Sequence, residues 1–222
     1  MIYNDREDAG ERLGERLAEW TYTDPLVLAI PRGGVVVGAA VANRLGAELE
    51  VVLSRKLRAP EQPELALGAV GEDGKIVLDP RHGADGTPGV YLEGEAAREM
   101  EEIRRRVALF RGERAPPRVA GRSVIVVDDG VATGSTALAA LRTVRAQGPK
   151  ELILGTPVMG SEHGLDFGAV CDRVVSLQTP DGFWAIGQFY RDFTQVEDRE
   201  VVEILARARV SRERGAGTGG AR

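Results

Sequence analysis

Two adjacent acidic residues, Asp128 and Asp129, stand between an apolar, β-branched run at 124–127 and a loop of small and hydroxyl residues at 132–136. The run predicts a strand buried on both faces of a parallel sheet, where ligands bind at the carboxyl ends of strands. The backbone N–H groups of a loop that enters a helix bind anions. Adjacent carboxylates repel a bare phosphate but accept hydrogen bonds from neighbouring sugar hydroxyls. The stretch therefore predicts a site for a phosphorylated sugar.

Three other interpretations fit this stretch less well. An ordinary strand-to-helix turn does not require two successive acids. A Walker A loop needs a lysine after its last glycine, whereas Gly134 is followed by Ser135. A haloacid-dehalogenase phosphatase separates its two acids by one residue, whereas these are adjacent.

A second strand, loop and helix pattern lies near the amino end, where the apolar run 26–30 leads into Pro-Arg-Gly-Gly at 31–34. The glycines let the backbone approach a ligand closely, and the arginine supplies a planar, permanent positive charge. A plain turn with a solvent-facing arginine is the alternative. Lys56 lies in a third, cationic stretch at 54–58 and is a candidate anion contact, with a solvated basic turn as the alternative.

The acidic stretch resembles the phosphoribosyl-diphosphate (PRPP) signature of the type I phosphoribosyltransferases, and the Arg-Gly-Gly segment resembles their pyrophosphate-binding loop. From Leu26 to Val196 the chain is most similar to a group of predicted bacterial phosphoribosyltransferases. Shared features are an Asp-Arg near the start, Arg-Gly-Gly, Arg-Lys-Leu, Asp-Asp-Gly-Val-Ala-Thr-Gly and a closing Thr-Pro…Gly-Gln-Phe-Tyr-Arg-Asp-Phe. The resemblance implies phosphoribosyl transfer from PRPP with release of pyrophosphate, Mg²⁺ as cofactor and a homodimer.

The same resemblance implies roles for individual residues. Asp129 is a candidate metal contact, although PRPP and water would hold most of the Mg²⁺. The residues assigned to catalysis are Arg32, Lys56, Asp128 and Asp129. The residues assigned to PRPP binding are Arg32, Gly33, Gly34, Asp128, Asp129, Gly130, Ala132, Thr133, Gly134, Ser135 and Thr136.

The acceptor is less well specified. Phe183 and Trp184 follow the last predicted strand, where 6-oxopurine transferases carry an aromatic that stacks on the base, although core packing is the alternative for either. Ala132 replaces the third acid of those enzymes, and the strand at 152–157 lacks their purine-reading lysine. The acceptor is therefore expected to be a nitrogenous base or another nitrogen nucleophile. A non-catalytic PRPP-binding sensor is the alternative function, disfavoured because the cations suited to pyrophosphate departure are retained.

The remaining pattern predicts the elements that position these loops. Strands alternate with helices, which indicates an α/β fold, a mostly parallel sheet flanked by helices. The resemblance adds a small hood subdomain, contributed mainly by about 57–115 and 178–196. One domain is predicted over 1–210, and the glycine-rich segment 211–222 is predicted to be a disordered tail.

Two further segments carry expectations of their own. The loop-like stretch 79–89, which contains His82, is predicted to be a mobile lid. A helix is predicted over 92–112 from apolar residues spaced by three and four, with its many charges on a solvated face.

Composition indicates a cytoplasmic enzyme that contacts neither nucleic acid nor membrane. The net charge of −5 and the pI of about 5.3 disfavour nonspecific binding to nucleic acid. The sequence has no apolar run of transmembrane length, and its charged first residues do not resemble a signal peptide. Cys171 is the only cysteine, so it has no intrachain disulfide partner and is predicted to be a small buried apolar residue.

Overall fold

The computed structural model describes residues 1–60, 65–79, 88–161 and 167–218, with side chains described up to 213. Its helices are α1 (Arg6–Leu17), α2 (Gly33–Leu45), α3 (Gly89–Phe110), α4 (Ser135–Arg145) and α5 (Asp198–Thr218). Its strands are β1 (Leu26–Ala29), β2 (Glu48–Val51), β3 (Ser54–Arg58), β4 (Ala66–Gly71), β5 (Ile76–Leu78), β6 (Ser123–Val127), β7 (Glu151–Val158) and β8 (Arg173–Gln178). A short 3-10 helix spans Ile186–Phe189.

The main sheet has five parallel strands in the order β2-β1-β6-β7-β8. Strands β1 and β6 are direct neighbours, and their last residues, Ala29 and Val127, pair in register. The loops that follow these two strands therefore leave the same edge of the sheet side by side. The predicted α/β architecture with a mostly parallel sheet is confirmed.

Alternate residues of the central strands enter separate apolar cores on the two faces of the sheet. On β6, Ile125 and Val127 join the core formed with α1, α2 and α5, whereas Val124 and Val126 join the core formed with α4. All four side chains are completely buried. This arrangement explains the continuous apolar run in the sequence, because a strand covered on both faces has no solvent side.

A second sheet, antiparallel and three-stranded, is formed by β3, β4 and β5. It packs against α3 and α4 rather than extending the main sheet. Together with α3 it spans residues 54–110, and it therefore begins three residues before the segment from which the hood is predicted.

Most charged residues of α3 are exposed, as predicted, but two of its glutamates depart from the solvated face. Glu95 and Glu99 are each 6% exposed. The Glu99 carboxylate accepts a 2.7 Å hydrogen bond from Arg55 Nε and lies 3.6 Å from Arg58 Nη1. Helical periodicity could not indicate this burial, because the partners belong to β3, more than forty residues away.

The end of the chain also differs from expectation, since α5 continues to Thr218, well into the segment predicted to be a disordered tail. Arg212 Nη1 lies 2.6 Å from Glu48 Oε2, which attaches this part of the helix to β2. Most of the predicted lid at 79–89, including His82, lies outside the described residues. No helix within the described ranges is long and apolar enough to cross a membrane.

Candidate active site

The loops after β1 and β6 enclose a cavity of about 250 Å³ at the carboxyl edge of the main sheet. Its position follows from the pairing of these two strands, which places both loops at one edge. The residues that line it are Ile30, Pro31, Arg32, Gly33, Asp128, Asp129, Gly130, Val131, Ala132, Thr133, Gly134, Thr136, Ala137 and Ile186. The structure therefore brings together most of the residues predicted to bind PRPP.

Asp129 is the more constrained member of the acidic pair. It is 9% exposed, and its Oδ2 accepts a 2.7 Å hydrogen bond from Nε of Arg6, a residue of α1. Its backbone carbonyl accepts a 2.6 Å hydrogen bond from the Tyr190 hydroxyl. The pKa of that hydroxyl is raised, mainly by burial and then by the charge of Asp129. Both the side chain and the backbone of Asp129 are therefore held by residues distant in sequence.

Asp128 has a different electrostatic environment. Its Oδ1 accepts a 2.9 Å hydrogen bond from the backbone N–H of Asp129. Burial, followed by the negative charge of Asp129, raises the pKa of Asp128 well above its usual range, and Arg6 opposes this only in part. Asp129 thus has a guanidinium close to its carboxylate, whereas the ionised form of Asp128 is disfavoured.

The loop after Asp129 ends at Gly134, which immediately precedes α4. Gly134 has φ of 73°, a left-handed conformation suited to glycine, and no side chain caps the first N–H groups of the helix. Thr133 and Thr136 are exposed beside these groups, and the Thr133 and Ser135 hydroxyl oxygens lie 3.5 Å apart. Helix N–H groups without a capping side chain, next to hydroxyl side chains, are suited to bind a phosphate.

The loop after β1 depends on glycine for its close contact with the acidic pair. A Cβ atom built on Gly33 would lie 1.9 Å from Asp129 Oδ2, and one on Gly34 would lie 2.8 Å from the Val127 carbonyl oxygen. Gly34 itself is not among the residues that line the cavity. The peptide bond between Pro31 and Arg32 is cis. A residue with a side chain at position 33 would therefore displace the carboxylate or the loop.

Lys56 lies apart from this cavity. It is not among the lining residues, and within the described part of the chain its side chain has no ion pair. Its neighbours Arg55 and Arg58 both pair with Glu99 of α3. The structure thus uses two of the three cations of this stretch to join β3 to α3, and the role of Lys56 stays a prediction.

Phe183 and Trp184, the two candidate base-binding residues, differ sharply in exposure. Phe183 packs against Phe189, with ring centroids 5.4 Å apart, whereas Trp184 is 91% exposed. Gln188 Oε1 accepts hydrogen bonds from the backbone N–H groups of Trp184 and Ala185, at 3.2 and 3.3 Å. The indole is therefore carried on an ordered turn and is free to contact a ligand.

Three residues that shape the site were not predicted from the motifs. Arg6 contacts Asp129, Tyr190 holds the backbone of Asp129, and Ile186 lines the cavity and lies against Gly130, where an added Cβ would come within 2.5 Å of it. The available signals were the Asp-Arg near the start of the chain and the aromatic segment near position 190, which were shared with the resembling group but carried no assigned role.

The described part of the chain offers few metal ligands of its own. Among the described residues, no group of three or more His, Cys, Asp or Glu side chains could hold a metal ion. Arg6 occupies Asp129 Oδ2, so Oδ1 is the oxygen of that carboxylate left for a cation. This donor set fits Mg²⁺ held chiefly by oxygens of a bound diphosphate.

Comparison with known proteins identifies the family. Residues 5–194 match the family model described as "Phosphoribosyl transferase domain". The chain is 43% identical over 212 residues to a Mycobacterium tuberculosis (strain H37Rv) protein named "putative phosphoribosyl transferase", an alignment that covers 93% of this chain and 47% of the relative. A protein of the CDC 1551 strain with the same descriptive name matches equally well. The chain thus spans about half the length of these curated relatives.

A solved structure gives the same result for the fold. The crystal structure of a Thermus thermophilus protein superposes with a TM-score of 0.89 at 45% identity, covering 93% of this chain and 99% of that protein. By the domain match and these relatives, the chain belongs to the phosphoribosyltransferase family.

Proposed function

We propose that this protein transfers the phosphoribosyl group of PRPP to a nitrogen nucleophile and releases pyrophosphate. The observation that supports this most is the meeting of two different anion-binding loops and an acidic pair around one cavity. PRPP carries a phosphate, ribose hydroxyls and a diphosphate, and each part of the cavity suits one of these groups.

The 5′-phosphate is assigned to the start of α4. The N–H groups after Gly134 have no side-chain cap, and the hydroxyls of Thr133, Ser135 and Thr136 surround them. The ribose hydroxyls would donate to the carboxylates of Asp128 and Asp129. Both acids lie between the two loops in the cavity wall, which suits a sugar that carries an anionic group at either end.

The pyrophosphate is assigned to the loop after β1, where Arg32 lines the cavity and Gly33 lets the backbone approach closely. In the reaction, the bond between ribose C1 and the pyrophosphate oxygen breaks, and its electron pair leaves with pyrophosphate. The lone pair of the acceptor nitrogen forms the new bond to C1, and the proton of that nitrogen passes to solvent. Arg32 would stabilise the charge on the departing group.

Mg²⁺ would be held by the diphosphate oxygens, water and, at most, Asp129 Oδ1. When bound, it supplies charge neutralisation on the leaving group. The chain's own residues keep the ribose in place through the acidic pair and keep the phosphate at α4. Asp129 thus acts mainly on the sugar in this proposal.

The acceptor is assigned to the side of the cavity lined by Ile186, beside the turn that precedes this residue, although the turn itself does not line the cavity. Trp184 offers an exposed ring on which a planar nitrogenous base could stack, whereas Phe183 is committed to packing against Phe189. We therefore favour Trp184 over Phe183 as the base contact. The family resemblance also leads us to expect a homodimer, which analytical ultracentrifugation would test.

The test is pyrophosphate release from PRPP and Mg²⁺ across a panel of purines, pyrimidines and other nitrogen nucleophiles, with calorimetric titration of PRPP in parallel. Release that depends on one acceptor would support the proposal and identify the reaction. Tight PRPP binding without turnover across the panel would favour the sensor. Absence of PRPP binding would overturn both.

A further inference from the structure

Arg6 is a buried cation outside the cavity lining, and it is hydrogen-bonded to the acidic pair through Asp129. Its side chain is 10% exposed, and Nε lies 2.7 Å from Asp129 Oδ2. Its Nη1 donates a 2.8 Å hydrogen bond to the carbonyl of Thr194, and its guanidinium carbon lies 3.8 Å from the ring centre of Phe193. The guanidinium is thus fixed by hydrogen bonds on two sides and by an aromatic face.

This arrangement decides which oxygen of Asp129 can meet a ligand. Arg6 occupies Oδ2, whereas no N–H group of the described residues donates a hydrogen bond to Oδ1. Tyr190 donates a 2.6 Å hydrogen bond to the backbone carbonyl of the same residue, so the main chain of Asp129 is held by Tyr190 and its carboxylate by Arg6. The result is a preorganised acceptor with one oxygen available to the cavity.

The ion pair lies close to the loop after β1. A Cβ atom on Gly33 would lie 1.9 Å from Asp129 Oδ2 and 2.8 Å from Arg6 Nε, so a glycine at this position leaves room for the pair. Without the guanidinium, two adjacent carboxylates would remain in a buried position with no close cation, which is a costly arrangement. Asp129 would then turn toward solvent or toward another donor.

We propose that Arg6 is the positioning residue of the ribose site: it holds Asp129 Oδ2 so that Oδ1 accepts a hydrogen bond from a ribose hydroxyl. This inference rests on the proposed function, because it assumes that the cavity binds PRPP. Arg6 does not line the cavity, so it acts on ribose-containing ligands through Asp129 and not by direct contact. Binding of ligands without ribose, such as inorganic pyrophosphate, should depend on it far less.

The experiment compares Arg6→Gln, Arg6→Lys and Arg12→Gln by calorimetric titration with PRPP, ribose 5-phosphate and Mg²⁺-pyrophosphate. Arg12 is the matched control, since it lies on the same helix, carries the same charge and makes an exposed pair with Asp8. Thermal unfolding of each variant shows that it is folded. Loss of a hydrogen bond involving a charged group predicts that Arg6→Gln weakens both ribose ligands by about tenfold or more.

The expected pattern has three further parts. Pyrophosphate affinity stays within about twofold, Arg12→Gln matches the wild type, and Arg6→Lys recovers part of the ribose affinity because a lysine supplies charge without the planar fork. If Arg6→Gln does not fold, Arg6→Lys tests the same point, because it should still weaken the ribose ligands selectively.

Two results would overturn the inference while leaving the proposed function intact. One is wild-type affinity of Arg6→Gln for PRPP. The other is an equal loss of affinity for ribose ligands and pyrophosphate, which would indicate a general structural role. If the wild-type protein binds no PRPP, the proposed function fails, and this inference fails with it.

Discussion

Arg32 Nη1, the cation of the loop after β1, lies 3.6 Å from Asp198 Oδ1 at the first residue of α5. Both side chains are about one-third exposed, so solvent reaches the pair. Asp198 is not among the residues that line the cavity, whereas Arg32 is. If PRPP binds as proposed, its diphosphate and Asp198 compete for the Arg32 guanidinium.

Replacing Asp198 by Asn is expected to tighten binding of both PRPP and Mg²⁺-pyrophosphate. The exposed ion pair contributes up to about 1 kcal/mol, which corresponds to a gain of up to about fivefold in affinity. Calorimetric titration measures the effect.

Glu203→Gln is the control for this change, since Glu203 lies on the same helix, pairs with Arg199 on an exposed surface and carries the same charge. Its PRPP affinity should equal that of the wild type. An unchanged or weaker affinity of Asp198→Asn would show that Asp198 does not compete with the ligand for Arg32.

Gly33→Ala is expected to abolish detectable PRPP binding. The new Cβ would lie 1.9 Å from Asp129 Oδ2, so either the loop or the carboxylate must move, and each is proposed to hold part of the ligand. Gly94→Ala is the matched control, because that glycine is exposed in α3 with open space around its Cβ position. We expect the control to bind normally and to be more stable by up to about 1 kcal/mol. Normal PRPP binding by Gly33→Ala would contradict the described loop geometry.

Asp128→Asn is expected to raise stability while it removes PRPP binding. Because the pKa of Asp128 is raised in the folded protein, folding holds this proton more tightly than the unfolded chain does. The favourable contribution of protonated Asp128 to the free energy of unfolding is therefore complete below the unfolded pKa, about 3.9. It is lost as the pH rises from that value through the folded pKa. At pH 7 the variant should be more stable than the wild type, by about 1.4 kcal/mol for each unit that separates the two pKa values.

Urea unfolding at pH 7 and at pH 3 tests this explanation. These two pH values bracket the unfolded pKa, and the stability advantage of Asp128→Asn should shrink at the acid value. An advantage that is absent at neutral pH would contradict the assigned cause. PRPP titration of Asp128→Asn and Asp129→Asn completes the test, and unchanged affinity in both would refute the ribose assignment.

The sequence was sufficient for the elements whose signals are local. The apolar run of β6 predicted a strand covered on both faces, and the two loops were assigned to one substrate because both resemble loops of the same family. Arg6 was not predicted as a site residue, because its contact with Asp129 joins positions 123 residues apart and appears in no spacing pattern. Only packing could show that Trp184 is exposed while the adjacent Phe183 is partly buried.

Glu99 illustrates the same limit on α3, where helical periodicity placed it among the charged residues but could not reveal that β3 covers it. Its side chain is 8% exposed, whereas the paired side chains of Arg55 and Arg58 are 38% and 40% exposed. We expect Glu99→Gln to destabilise the fold by about 1–2 kcal/mol, less than the roughly 3–5 kcal/mol for a fully buried pair, because solvent screens both guanidinium groups.

Urea unfolding of Glu99→Gln beside Glu101→Gln measures this contribution. Glu101 is exposed on the same helix, so its replacement should change stability by less than about 0.5 kcal/mol. Equal stability of the two variants would show that the Glu99 pairs do not hold β3 on α3.

Because Lys56 lies on β3 between the two arginines, the same variants also report on the catalytic role predicted for that lysine. If Lys56 contacts pyrophosphate, loosening β3 from α3 should lower turnover in Glu99→Gln and not in Glu101→Gln.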